Sequence, residues 1–519
     1  MESSPYKPDN EERDNYFHGF SGSPQLILQH LKHYMAIDDA DTIGKWSKDL
    51  SIDIITALGQ CKWSYFFPIR TCLKDDAHRQ HGAASTILLV AVEPASLQWE
   101  DGIKIALACR DIIRKFKIFD VEVEIMEGRY TQQAASTLLF DYDHTYDETK
   151  SAILPLLSYT GWPIAYLENV PGEGTVGLHL KLGADDSTVY GLTCRHVVYN
   201  TRAAHESYKP SAENRQYHIQ ANADRFFRIL SNVESTIQDG KEGLKTLQSR
   251  IKENIPPPSE EDREHLTSQQ KDLAWNNSVV KILEQMVDRK DRKIGHLAFL
   301  PSFALSSRRP GYLKDWALVE LDLKNFSSSP NNIVVLGPHE NKSFKAYKRG
   351  EMRLKLNPKH RVNCKSYAVA KRGARTGLTF GKTSGIEAVT RAPGEGLAGD
   401  VYTWEMLIVP EDGAQYFSQK GDSGSAVFNV AGEVVAIVTA SNGVANNGET
   451  SWRGVPDEGS SNPRRLRKFG QDITGQDIEE TPSSERVKLP EGIAITFAAP
   501  IKWVLDDIQD FTGLNPRLA

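Results

Sequence analysis

Cysteine is scarce in this chain. There are five in 519 residues, at 61, 72, 109, 194 and 364, an odd number and widely spaced. That excludes a disulfide framework and points to reduced thiols in an intracellular, cytoplasmic setting, with the nucleus also open. The sequons at Asn276 and Asn341 then have no glycosylation to report. No apolar run approaches the roughly 20 residues of a membrane span, so no membrane partner is expected. The N-terminus is polar and acidic through Glu11 and Glu12, without the basic-then-apolar order of a secretory leader. Excess positive charge is missing too. The net charge is -6, which leaves no global basic footprint for nucleic acid.

What is present reads as a globular protein with polar insertions: 39% hydrophobic and 25% charged residues, at a length that suggests about three domains. Residues 1–20 are polar and expected to be disordered. Residues 21–155 read as a small α/β domain, with a helix at 24–35, a buried strand at 86–92, a helix at 99–116 and an alternating strand at 119–125. Its role is not readable. Asp141, Asp143, His144 and Asp147 match no metal-ligand spacing and read as a solvated linker, and His78 and His81 belong to a similar polar loop. No metal site and no cofactor is expected anywhere in the chain.

From Gly161 the texture changes to short alternating runs, and residues 156–519 read as one domain. Strands are expected at 175–182 and 188–193. Residues 172–177 spell G-x-G-x-x-G, but a strand follows where a dinucleotide loop needs a helix, so that reading is rejected. Residues 205–292 form a charged insertion with two helical stretches, 221–253 and 260–292, broken by Pro256-Pro257-Pro258. This is a helical hairpin or coiled-coil arm. It is either packed on the domain body or used for a protein partner or self-association. Strand texture returns at 294–299. A Gly-rich hairpin spans 368–383, and its Lys and Arg residues read as charges guarding a strand edge. A core strand is expected at 433–440, a flexible polar loop at 441–489, a strand at 492–498 and a closing amphipathic helix at 500–511. Arg464, Arg465, Arg467 and Lys468 in that loop read as solvated rather than as a nuclear-localisation patch.

Three short segments carry chemistry. Lys420-Gly421-Asp422-Ser423-Gly424-Ser425 places a serine between glycines on a tight turn that opens an apolar run. Leu192-Thr193-Cys194-Arg195-His196 brings a histidine to the end of an apolar strand, and Asp315-Trp316-Ala317-Leu318 sets an aspartate just before another. These segments resemble the nucleophile loop, the histidine corner and the Asp-x-Ala-Leu segment of the chymotrypsin/trypsin-like serine peptidases. Their order, His196, Asp315, Ser423, is that family's order and differs from those of the α/β-hydrolases and subtilisins. Asp322, on the same strand as Asp315, is the rival acid.

The resemblance implies a mainly β fold. It would be a chymotrypsin-like double antiparallel β-barrel with a long helical-hairpin insertion, preceded by the small α/β domain. It implies a serine endopeptidase in which Ser423 attacks a polypeptide carbonyl, His196 moves the proton, Asp315 orients His196, and the N–H groups of Gly421 and Ser423 form the oxyanion hole. It puts Phe417, six residues before the nucleophile, at the base of the specificity pocket, which argues against a basic preference. It puts Thr439, Ala440 and Ser441 beside the substrate backbone. In secreted relatives the residue matching Asp422 pairs with an N-terminus freed by cleavage. About 160 residues precede the barrel here with no basic activation site, so obligatory cleavage is not expected. An inert scaffold on the same fold and an esterase using the same triad are the alternatives.

Overall fold

The computed structural model describes residues 32–37, 45–73, 85–93, 96–132, 159–167, 172–199, 207–208, 215–253, 259–308, 311–326, 329–337, 339, 341–345, 350–357, 366–392, 401–411, 414, 416–442 and 495–519. Several expectations lie outside the described residues: the N-terminal disorder at 1–20, helix residues 24–31, His78 and His81, the polar cluster at 141–147, the Pro256–Pro258 break and the loop at 443–489.

The described residues are mainly β, built on two large and largely antiparallel sheets with a two-stranded ribbon, Ile333–Gly337 and Gly350–Arg353, beside them. One has eight strands in the order Pro516–Leu518, Leu178–Leu182, Tyr190–Thr193, Ala317–Leu321, Lys293–Phe299, Tyr217–Gln220, Trp162–Tyr166 and Glu173–Val176. The last of these and Leu178–Leu182, second in the order, are consecutive in the chain, parted only by Gly177. The strand expected at 175–182 is therefore two. Inward residues such as Trp162, Ile164, Leu178, Leu192, Leu297 and Leu318 form its core.

In the second sheet, six strands pair in a cycle. They are Ala368–Gly373, Ala426–Asn429, Val434–Ser441, Thr496–Pro500, Val401–Pro410 and Gly377–Ala392, and the first of them also pairs with the last. Val369, Met406, Ile408, Val427, Val435 and Val438 fill the interior. All eight residues of Val434–Ser441 are buried, as expected for a continuous apolar run in a central strand.

The 16-residue strand Gly377–Ala392 outruns this cycle. Its far end pairs Val389 with Phe66 and Thr390 with Tyr65 of the strand Trp63–Leu73. That strand pairs with Ser85–Val92, which pairs in parallel with Val121–Glu127. Helices Lys48–Leu58 and Trp99–Lys115 cover one face through Leu50, Ile54, Cys109 and Ile113. The N-terminal unit thus continues the second sheet. Helix Lys48–Leu58, started by the Ser47 side chain accepting from Leu50 N–H, and strand Trp63–Leu73 were not legible as periodic patterns. The helix expected to end at Met35 ends instead in a strand, Lys32–Met35, because pairing with Arg70–Leu73 outweighs the local preference.

The insertion leaves from the connection between two adjacent strands, Tyr217–Gln220 and Lys293–Phe299, so it does not interrupt their ladder. Its helices are Ala223–Glu253 and Glu260–Gln285. Ser259 and Asp262 cap the second reciprocally. That helix ends seven residues short of the expected 292. Arg289–Arg292 is a separate 3-10 turn, with Arg292 over the Phe226 ring at 4.1 Å. The hairpin's own core, Phe226, Ile229, Val233 and Ile237 against Val279 and Leu283, lies at its base. The helix Ile501–Thr512 is followed by Pro516–Leu518, which returns the chain end to the first sheet. No helix among the described residues is long and apolar enough to cross a membrane.

Candidate active site

Strands Tyr190–Thr193 and Ala317–Leu321 are paired with Thr193 opposite Ala317. This register sets His196 just beyond one strand and Asp315 just before the other, at the same end of the sheet. His196 sits in the buried turn Arg195–Val198. Its backbone N–H donates to Asp315 Oδ1 at 3.1 Å, and its ring Nδ1 bonds Asp315 Oδ2 at 2.7 Å. Both side chains are buried. A carboxylate on Nδ1 fixes the proton there and leaves Nε2 as the basic nitrogen. Among the described residues Nε2 has no hydrogen-bond partner. The flanks of Asp315 are clamped by the C-terminal helix: Trp316 Nε1 donates to Asp507 Oδ2 at 2.7 Å, and Lys314 pairs with Asp507 at 3.7 Å. Asp322 lies at the other end of the strand, where it caps the turn at Leu323–Asn325, so it is not part of this cluster.

The Ser423 loop is docked onto the histidine corner by the first sheet. Thr175 N–H donates to Ser423 O at 2.8 Å, and Thr175 Oγ1 donates to Gly421 O at 3.0 Å. Gly424 N–H and the Cys194 thiol both donate to Val438 O, at 2.8 and 3.2 Å, so the residue after Ser423 and the residue two before His196 meet on one carbonyl. This approach explains the G-x-G-x-x-G spelling. A Cβ on Gly174 would lie 2.4 Å from Val197 Cγ2, and one on Gly177 2.1 Å from Gly424 O. The two glycines make room for the histidine corner and the serine loop. Gly421 has φ of 108°, a region that favours glycine. Among the described residues the Gly421 and Ser423 N–H groups meet no backbone acceptor. The Ser423 hydroxyl donates to Thr439 O at 3.1 Å, and Ser423 has no exposed surface.

Asp422 is held by an internal cation. Lys371 Nζ lies 3.1 Å from Asp422 Oδ2, with both side chains fully buried. Arg375, Thr376 and Gln419 N–H groups and the Thr376 hydroxyl also donate to the Asp422 carboxylate. Burial opposes ionisation of Asp422, but the Lys371 charge and these donors hold its carboxyl below the usual range. This corrects the sequence reading of the 368–383 charges. Lys371 is on an inner face because Asp422 neutralises it there.

Thr439, Ala440 and Ser441 lie on the strand beyond Ser423, all buried. Thr439 Oγ1, with one hydrogen to give, lies within reach of both the Glu405 carboxylate and Phe497 O, and Glu405 also accepts from the Tyr130 hydroxyl. Burial pushes the Glu405 carboxyl up. Tyr130, Tyr312, Asp315, Trp316, Glu405 and Thr439 border one cavity beside the acid. Phe417 is elsewhere. Its ring, expected at the base of the specificity pocket, is buried in the core of the second sheet with Val369, Met406 and Val438 and does not border this cavity. The family spacing that located it depends on flanking cysteines this chain lacks.

Cys194, His196 and Asp315 offer ligand atoms within 4.8 Å of one another. Asp315 is already committed to His196, and burial pushes the Cys194 thiol well up, away from the thiolate a metal or a nucleophile needs. Sequence reasoning missed Lys371, Glu405, Tyr130 and Asp507. Each owes its place to a partner far away in the chain. Comparison with protein-family models returns no match, and comparison with curated proteins returns no relative.

Proposed function

We propose that the chain is a serine endopeptidase, with the eight-strand sheet and the six-strand cycle as the two barrels of a chymotrypsin-like fold. The observation that carries this reading is the buried His196–Asp315 pair, bonded at 2.7 Å, with the Ser423 loop docked on the same corner. In the proposed reaction the Ser423 hydroxyl exchanges its bond to Thr439 O for one to His196 Nε2 and attacks a peptide carbonyl. The Gly421 and Ser423 N–H groups receive the oxyanion, a contribution of a few kcal/mol. His196 then protonates the leaving amine, and water resolves the acyl-enzyme. The Lys371–Asp422 pair supports an uncleaved chain holding this loop in shape, since it supplies the cation that a freed N-terminus supplies in secreted relatives. Among the described residues Cys61, Cys109 and Cys194 are free thiols, which fits an intracellular, cytoplasmic site of action.

One observation favours a second reading, an inert scaffold. The Ser423 hydroxyl points to Thr439 O, and the serine is closed to solvent. Fluorophosphonate labelling separates the two. The peptidase reading expects covalent labelling of the wild type and none of Ser423→Ala or His196→Ala. A wild type that stays unlabelled leaves the scaffold.

A further inference from the structure

On the peptidase reading above, we infer that the chain is latent towards polypeptides: its own segment Thr131–Gln132 takes the sheet edge on which an extended substrate must pair, and a substrate binds only when that segment leaves. The starting point is strand Val434–Ser441. One of its edges pairs with Thr496–Pro500, from Ala436 to Ser441. The other pairs with Ala426–Asn429 as far as Ile437, and Val438 then exchanges bonds with the serine loop through Gly424 N–H and Ser425 O. Thr439 O, one residue on, accepts from the Ser423 hydroxyl. Beyond it, where a peptide would add to the edge, Ala440 and Ser441 are paired with Gln132 and Thr131.

The direction of the segment matters as much as its place. The pairing is antiparallel, with Thr131 opposite Ser441 and Gln132 opposite Ala440, so the segment runs from its N-terminal to its C-terminal residue toward Thr439 and Ser423. Residues that precede a scissile bond and lie along Ala440 and Ser441 must run the same way to present that bond to the serine. Thr131–Gln132 therefore has both the position and the polarity of an acyl-donating strand. Extended pairing on a free sheet edge is a general mode of peptide recognition, and two strands cannot share one edge.

The occupant belongs to the N-terminal unit and is tied in behind the edge. The Tyr130 hydroxyl donates to Glu405, whose carboxylate also lies within reach of Thr439 Oγ1. The Tyr130 ring packs on Phe497 at 5.3 Å, and the Tyr65 ring packs on the same side chain at 5.2 Å. Ala440 and Phe497 thus share a core with Tyr65, Phe67 and Leu89 of that unit, and Ala440 has no exposed surface. A polypeptide then binds only the fraction of molecules whose edge is free, and its apparent affinity falls in proportion to that fraction. A small serine reagent makes no strand pairing and escapes this competition.

The test compares the wild-type full-length chain with the double variant Thr131→Pro with Gln132→Pro, in which neither residue has an N–H to give to the ladder. The probes are reduced, carboxymethylated casein and a fluorophosphonate. The double variant is expected to raise kcat/KM for casein at least about tenfold, through KM rather than kcat, because the free-edge fraction rises. Its labelling rate is expected to stay within about twofold of wild type, since the small reagent does not read that fraction. Tyr130→Phe keeps the ring and loses only the bond to Glu405, and it is expected to lower KM for casein about threefold. Chains that label while the double variant gains nothing on casein overturn the inference and leave the peptidase reading standing. If no chain labels, the peptidase reading falls and the inference with it. If the double variant loses the wild-type circular dichroism spectrum, Tyr130→Phe decides, and an unchanged KM there overturns the inference.

Discussion

Lys371 is the residue whose removal tells most about the Ser423 loop. Truncation to Met leaves the Asp422 carboxylate buried without its cation, a change that costs about 3–5 kcal/mol in comparable buried pairs. Lys371→Met is expected to lower the urea midpoint and to abolish fluorophosphonate labelling. Lys371→Met with Asp422→Asn should recover part of the stability, because no buried charge is then stranded. The labelling rates and unfolding curves of the three chains check this. The meeting of His196 and Asp315 was legible because each sits in a recognisable strand-end setting. Lys371 was not, since its meaning depends on a carboxylate 51 positions away that only the fold brings near.

A second effect at this scale concerns His179 and His218, both fully buried, where desolvation pushes each imidazole down to about 4. His179 accepts from the Trp162 indole at 3.1 Å through Nε2 and bonds Asn331 O at 2.8 Å through Nδ1, an arrangement that needs the neutral ring. Between the ordinary value of 6.5 and about 4, the unfolded chain binds more protons than the folded one. Stability is therefore expected to rise with pH through that window and to fall on acidification from 6.5 towards 4. Urea midpoints between pH 7 and pH 4.5 measure it, with a shallower decline in His179→Gln.

At the scale of elements, the decisive feature is the break at Gly177 between Glu173–Val176 and Leu178–Leu182. Gly177→Ala places a methyl 2.1 Å from Gly424 O, so the serine loop must move. The variant is expected to keep the wild-type circular dichroism spectrum and lose at least tenfold in labelling rate. The sequence reading ran one strand, 175–182, through the glycine, because a period-two pattern does not record which neighbour crowds it. The insertion helices were legible from their periodicity, as was the strand at 294–299 that follows them, whereas Tyr217–Gln220, read as part of the insertion 205–292, is a strand of the sheet. The true end at Gln285 was not, because Arg292 is turned onto Phe226 by a contact between the helix bases.

At the scale of the molecule, the N-terminal unit and the second sheet share the strand Gly377–Ala392. A chain starting at residue 156 would bare the edge beside Val389 and the apolar faces of Tyr402 and Trp404, which pack on the N-terminal cluster. Unpaired apolar edges invite association. Such a chain is expected to aggregate by light scattering and to become soluble on co-expression with residues 1–155. The α/β texture of residues 86–125 was readable as strand, helix and strand. That it completes another sheet was not, since strand order is a property of pairing between distant segments.

That shared strand also sets what a broken backbone would look like. Trp63–Leu73 is woven between Ser85–Val92 and Gly377–Ala392, so it is fixed from both sides. A proteolytic nick anywhere between residues 132 and 159 would change the number of chains without changing the number of particles. Native mass spectrometry would weigh one body, and a denaturing gel would resolve two. The N-terminal piece would then remain as a noncovalent subunit, its exchange rate governed by the unzipping of that sheet.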